Sequence, residues 1–503
     1  MFYAAPMRGT QHDGPQLSPG SRRPRTTRLA AMLTLTCAAV IVTSCSPVPP
    51  TVVDGRAVSM RFDPNRVAGL PATDGPSGPL VPEPSAVGRV RNTDDGPIDR
   101  SALLAIEDIE EFWHANYPAA LPGDFAAVSG LISVDPDAAR PRVCGEDPSR
   151  FAFNAAYCRR QDVIAWDRVE LLPVAEKYFG DMAINGLLAH EYGHAIQHSS
   201  GLVDQDTAVL VREQQADCFT GVYLRWVAEG SSPRFAMNTT EALDKVLAGA
   251  IAVRDRPPDF TFFGLLPVEA SHGTALDRVS AFQQGFDLGA GSCVTIDAAE
   301  IEQRRGDDIP AALFDPASPQ SDMPITEQTL SSLIGVLNAT FAPARPPTLQ
   351  TSGSACGSGP ALYCATTNTI DVDLAALQQL GTPASESQRV LLQGDNSAIS
   401  VVTSRYMLAV QNERGLALDG PTAAMRTACL TGVAQNKLAD PASSDDQLVL
   451  GAGDLDEAVS GLLTNGIAAS DAHGLAVPSG FTRILAFRLG LSGDTERCFR
   501  QFR

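Results

Sequence analysis

Apolar and polar positions along this chain form only a few strongly patterned stretches. Leu29 to Val42 is an apolar run preceded by Arg22, Arg23, Arg25 and Arg28. It is too short to cross a bilayer comfortably and has the form of a signal-peptide core. From Ser46 to about Pro97 the chain is rich in Pro, Gly and Ser without sustained periodicity, which predicts a flexible tether. Val163–Asp167 reads as a strand. Ile184, Leu187, Leu188 and Ala195 give a helix a broad apolar face, with Gly201 as its stop. A second helical pattern opens at Glu213 and continues through Trp226.

Beyond these local patterns, the chain repeats itself. Tyr157-Cys158, Ile164 and Asp167 correspond to Tyr363-Cys364, Ile370 and Asp373. Cys218-Phe219-Thr220-Gly221-Val222 corresponds to Cys429-Leu430-Thr431-Gly432-Val433. Arg278, Ala281-Phe282, Gly285 and Cys293 correspond to Arg483, Ala486-Phe487, Gly490 and Cys498. Three blocks in one order, each with a cysteine, indicate duplication. The chain therefore divides into a leader at 1–45, a tether at 46–98, a first domain at 99–302, a linker at 303–323 and a second domain at 324–503. Its 503 residues are ample for two cores.

Composition narrows the function. Hydrophobic residues make up 44% and charged residues 19%, as in globular proteins, and the net charge of -20 disfavours a nucleic-acid partner. The apolar run ends in Val42-Thr43-Ser44-Cys45, which resembles the lipobox of bacterial lipoproteins. That resemblance implies a diacylated Cys45 as mature N-terminus and a chain anchored outside the cytoplasmic membrane. A plain signal peptide with a chance cysteine is the other reading. Without Cys37 and Cys45 eight cysteines remain, an even number that suits a disulfide framework in an exported chain. Pairing within each repeat gives Cys144–Cys158 with Cys218–Cys293, and Cys356–Cys364 with Cys429–Cys498.

The chemistry centres on His190-Glu191-Tyr192-Gly193-His194. Histidines four apart on a helix share one side and can reach a single metal ion, with Glu191 beside it as general base. Histidine is scarce, seven in all, and three lie between residues 190 and 198. Glu213 is the right type of third ligand, and a fourth position then stays open for water. Asp217 shares its helix face and could accept the free N–H of a ligating histidine. His198 reads as an exposed helix-end residue. The gluzincin arrangement has this order of HExxH followed by Glu–x–x–x–Asp.

These blocks, together with Tyr157-Cys158, Val163 to Asp167, Cys218, His272-Gly273-Thr274 and Arg278, resemble the neutral zinc metallopeptidase family of bacteria. The resemblance covers about residues 100–300 and departs at Gln214, where the family often has an apolar residue. It implies an α+β, zincin-like core holding one Zn2+ and hydrolysing peptide or protein substrates. His272 is the candidate donor to the developing oxyanion, with Tyr192 and Tyr223 as weaker ones. Val163–Asp167 is expected to be the edge strand that pairs with substrate. Deformylases also use HExxH but take a cysteine ligand, and Cys158 is better explained by a bridge.

Carried into the second repeat, the alignment sets Ser404, Arg405 and Leu408 against His190, Glu191 and His194. Ala424 and Ala428 then stand against Glu213 and Asp217. No catalytic zinc site can be assembled from these residues, so the second domain reads as a degenerate, metal-free copy. His473-Gly474 echoes His272-Gly273 there, which would make the His-Gly pair structural. The competing account of the whole chain is a silent envelope scaffold or binding lipoprotein with a structural zinc, although such a site has no need of Glu191.

Overall fold

The computed structural model describes residues 51–53, 56–58, 60–84, 88–138, 141–252, 272–306, 309–315, 323–351, 356–382, 392–440 and 448–503. The leader, with its Cys45, lies outside these residues. Among the described residues, no helix is long and apolar enough to cross a membrane. Helices and small sheets are mixed in an α+β arrangement.

In the first half, α1 (Pro97–Ala120) starts with proline at a position that needs no N–H and buries Leu104, Ile109, Phe112 and Trp113. Strands β1 (Val90–Arg91), β2 (Gly130–Val134), β3 (Ala155–Cys158) and β4 (Val163–Asp167) form one sheet in the order β1-β2-β4-β3. β2 runs parallel to β4, and β3 antiparallel to it. The expected edge strand is therefore an interior one. All five residues of β4 are buried and both its sides are hydrogen-bonded. The edge strands are β1 and β3.

Helices α2 (Leu171–Phe179), α3 (Ala183–Ser200), α4 (Val209–Ala228), α5 (Glu241–Ala252), α6 (Ala275–Leu288) and α7 (Ala298–Arg305) follow. Gly201 ends α3 with a left-handed φ of 71°, and its N–H returns to the carbonyls of Gln197 and His198. α4 crosses α6 with backbones in contact. A methyl group on Gly221 would strike the Phe282 carbonyl, and one on Gly285 the Cys218 carbonyl. Cys218–Cys293 locks this crossing.

The second half contributes α8 (Glu327–Phe341), β5 (Thr348–Gln350), β6 (Ala361–Cys364), β7 (Thr369–Val372), α9 (Leu374–Gly381), α10 (Asp395–Glu413), α11 (Pro421–Leu438), α12 (Ala452–Thr464), α13 (Gly480–Leu491) and α14 (Thr495–Gln501). β5 runs parallel to β7 and β6 antiparallel to it, as β2 and β3 do about β4. Gly432 and Gly490 bring α11 onto α13 as Gly221 and Gly285 bring α4 onto α6. Cys144–Cys158, Cys356–Cys364 and Cys429–Cys498 complete the expected four bridges.

Part of the stretch expected to be a flexible tether is packed. Asp63, Val67 and Val90 are buried, Gly78–Pro79 pairs with Phe235–Ala236, and Thr73 bonds Thr239. This strap holds on through backbone and threonine hydrogen bonds and isolated apolar anchors, so no hydrophobic period announces it. Between the halves α7 runs to Arg305, and Ile309, Leu313 and Phe314 are buried. Residues 50–503 form one compact unit.

Candidate metal centre

α3 and α4 lie side by side because Gly193 presents no side chain. A Cβ there would meet Ala216 Cα at 2.9 Å. The close approach sets one face of α3, with His190 and His194 a turn apart, opposite Glu213 on α4. His190 Nε2 is 3.2 Å and His194 Nε2 3.6 Å from the Glu213 carboxylate, on different oxygens. Each of the three offers a ligand atom, and these atoms lie within 4.8 Å of one another.

The outer nitrogens are already engaged. His190 Nδ1 lies 2.8 Å from Asp217 Oδ1, and His194 Nδ1 lies 3.0 Å from Gln197 Oε1. Gln197 must turn its oxygen to His194, because its amide nitrogen donates to the Arg212 carbonyl and to Gln215. Both imidazoles therefore donate through Nδ1 and turn Nε2 inward, the atom a metal would take in exchange for its proton. Two nitrogens, a carboxylate and one open side fit a divalent zinc ion by donor type and number. The ligand side chains keep 12–20% of their surface exposed, so small molecules have access.

Electrostatics suit a cation. Burial opposes the charged form of Glu213, but His194 and His190 outweigh it and hold the carboxyl well below its usual range. Burial likewise opposes charge on Asp217, and Arg278 with His190 outweighs it. For His190 burial lowers the imidazole, yet Asp217 and Glu213 lift it to about 10. Burial pushes Glu191 up, against the pull of His190 and His194, while Glu213 adds to the rise. Glu191 also accepts the backbone N–H of Tyr157, on edge strand β3, at 2.9 Å.

Arg278 on α6 grips Asp217 through Nε at 2.8 Å and a terminal nitrogen at 2.7 Å. Sequence reading placed Arg278 among the recurrent residues but gave it no role. Gln197 was missed, although it stands three residues after His194 on the same helix face.

Tyr192 and Tyr223 fall away from the centre. Tyr192 is buried with its hydroxyl toward Glu110, and buried Tyr223 donates to Asp108, so neither faces the ligands. His198 lies against Tyr157 at the end of α3. His272 is partly buried directly ahead of α6. Its neighbour Gly273, at φ +90, lies against Leu210, three residues before Glu213. His473-Gly474 is no counterpart. It sits in a turn capped by Asp471, six residues before α13, whereas Gly273 stands two residues before α6.

The second-half positions that the sequence alignment sets against the site are closed. Ser404, Arg405, Leu408 and Ala428 are fully buried and Ala424 nearly so. The Arg405 guanidinium bonds the Ile467 and Asp471 carbonyls and Ser470 Oγ. Arg483, which the alignment sets against Arg278, turns to the carbonyls of Val477, Leu462 and Pro478.

The chain is 30% identical over 124 residues to Uncharacterized protein YpfJ of Escherichia coli (strain K12), and equally to that of Escherichia coli O6:H1 (strain CFT073). The aligned part is 22% of this chain and 42% of either relative, so less than half of those proteins is spanned. No solved structure matches. Residues 157–296 match the family described as "Putative neutral zinc metallopeptidase", and this segment holds His190, Glu191, His194, Glu213, Asp217, His272 and Arg278.

Proposed function

We propose that the chain is a zinc-dependent peptidase of the cell envelope, with His190, His194 and Glu213 holding one Zn2+ and Glu191 as general base. The carrying observation is the inward pair of Nε2 atoms on one glutamate, each ring fixed through Nδ1. Similarity of residues 157–296 to a zinc metallopeptidase family supports it.

Zinc held there would polarise the scissile carbonyl and bring the pKa of water to about 7. Glu191 takes the proton of the attacking water and passes it to the leaving amine, and its raised affinity for a proton suits both steps. An extended substrate would lie along edge strand β3, beside Glu191. His272 is the proposed oxyanion donor. Lipidation at Cys45 would tether the enzyme to the outer side of the membrane. The like order of elements and the matching glycine crossings support reading the second half as a degenerate copy with its metal site filled in.

Glu191→Gln separates enzyme from scaffold. Hydrolysis of a denatured protein should fall by more than about a hundredfold while zinc content stays unchanged. Unaltered cell-envelope function in that variant would favour a silent scaffold.

A further inference from the structure

The two halves exchange helix caps. Asp456 on α12 accepts the N–H of Ala275, the first residue of α6, at 2.7 Å. Asp244 on α5 accepts the N–H of Gly480, the first residue of α13, at 2.8 Å and 2.9 Å. α5 and α12 hold matching places in their halves, as do α6 and α13. Both carboxylates are buried, and α12 packs on α5 and α6 together. Each half thus supplies a carboxyl acceptor to the N-terminal end of a helix in the other.

The two bonds hold different things. α13 carries Arg483, which ends on backbone carbonyls and near Asp244. α6 carries Arg278, three residues after Ala275, and Arg278 clamps the Asp217 that fixes His190. The N-terminal turn of α6 has its own capping box, but Thr274 and Asp277 serve each other's N–H groups and not that of Ala275. Asp456 takes the Ala275 N–H, next to the His272-Gly273 bend.

We propose that Asp456 is a positioning residue of the metal centre, supplied by the second half. By fixing the start of α6 it sets Arg278 against Asp217, and so the ring of His190. The inference rests on the zinc reading of His190, His194 and Glu213. It gives the second half a task that needs no ligands of its own, as a permanent partner for the live half.

The test is zinc affinity of the full chain by chelator competition, alongside urea unfolding of the metal-free protein. Asp456→Ala should weaken zinc binding about 10–100-fold. Asp244→Ala, which removes the matching bond on the other side, should change it by less than about twofold. Asp456→Asn keeps an oxygen acceptor and should restore most of the affinity. Equal zinc affinities in the two alanine variants would overturn the proposal. Ala275→Pro removes the same N–H at a helix position where proline is tolerated, and its zinc affinity decides the matter if Asp456→Ala does not fold. A wild-type chain that takes up no zinc overturns the underlying metal reading instead, which keeps the two failures apart.

Discussion

Asp217 Oδ1 takes both His190, at 2.8 Å from its Nδ1, and a terminal nitrogen of Arg278 at 2.7 Å, while Arg278 Nε closes on the second oxygen. The carboxylate is buried, so neither contact is diluted by water. Asp217→Asn keeps the shape but loses the charge that holds both partners. Its zinc affinity should fall about 10–100-fold, read by chelator competition. Unchanged affinity would mean that the ring of His190 is held by something else.

Gly193 sets the separation of the two ligand helices. Gly193→Ala pushes a methyl group against the Ala216 backbone, which has no flexible atom to yield. α3 must then move off α4, carrying His190 and His194 away from Glu213. Zinc content should drop below half while the circular dichroism spectrum stays helical. Full zinc loading would show that the centre tolerates a wider helix pair.

Cys218–Cys293 spans 75 residues and fastens α4 to the short turn of helix that follows α6. Joining residues so far apart restricts the unfolded chain strongly. Cys218→Ala with Cys293→Ala should cost about 2–5 kcal/mol of stability, measured by urea unfolding. A loss under about 0.5 kcal/mol would show that the crossing at Gly221 and Gly285 is held by packing alone.

Asp244 gives stability a pH dependence of known sign. Burial lifts its carboxyl from 3.8 to about 7, against the opposing pull of Arg483 and the N–H groups of Gly480 and Phe481. Between those values the folded chain keeps a proton that the unfolded chain has released. Stability therefore falls as pH rises through this window and stays lower above it. Asn at this position cannot titrate. Relative to Asp244→Asn, the wild type should lose on the order of 2 kcal/mol between pH 5 and pH 8. A constant gap between the two would contradict the assigned shift.

Much of the centre was legible because its chemistry sits on helical spacing. Four-residue steps put His190 with His194, and Glu213 with Asp217, each pair on one helix face. The four cysteine bridges followed from pairing the cysteines within each half, which left one simplest solution. What stayed hidden depends on contacts between distant segments. The strap through Val67 and Val90 is held by backbone bonds that leave no periodic trace. The interior place of Val163–Asp167 is set by which strand adds at its side, and its composition suits either position. The cap exchange between Asp244 and Asp456 joins residues more than 180 apart from their partners, beyond the reach of any local pattern.

The most direct test of the account is elemental analysis of the chain purified from residue 46 onward, compared with His190→Ala. One zinc per chain, absent from the variant, is the expected result. No zinc in the wild type, or an equal amount in His190→Ala, would contradict a zinc centre built on His190, His194 and Glu213.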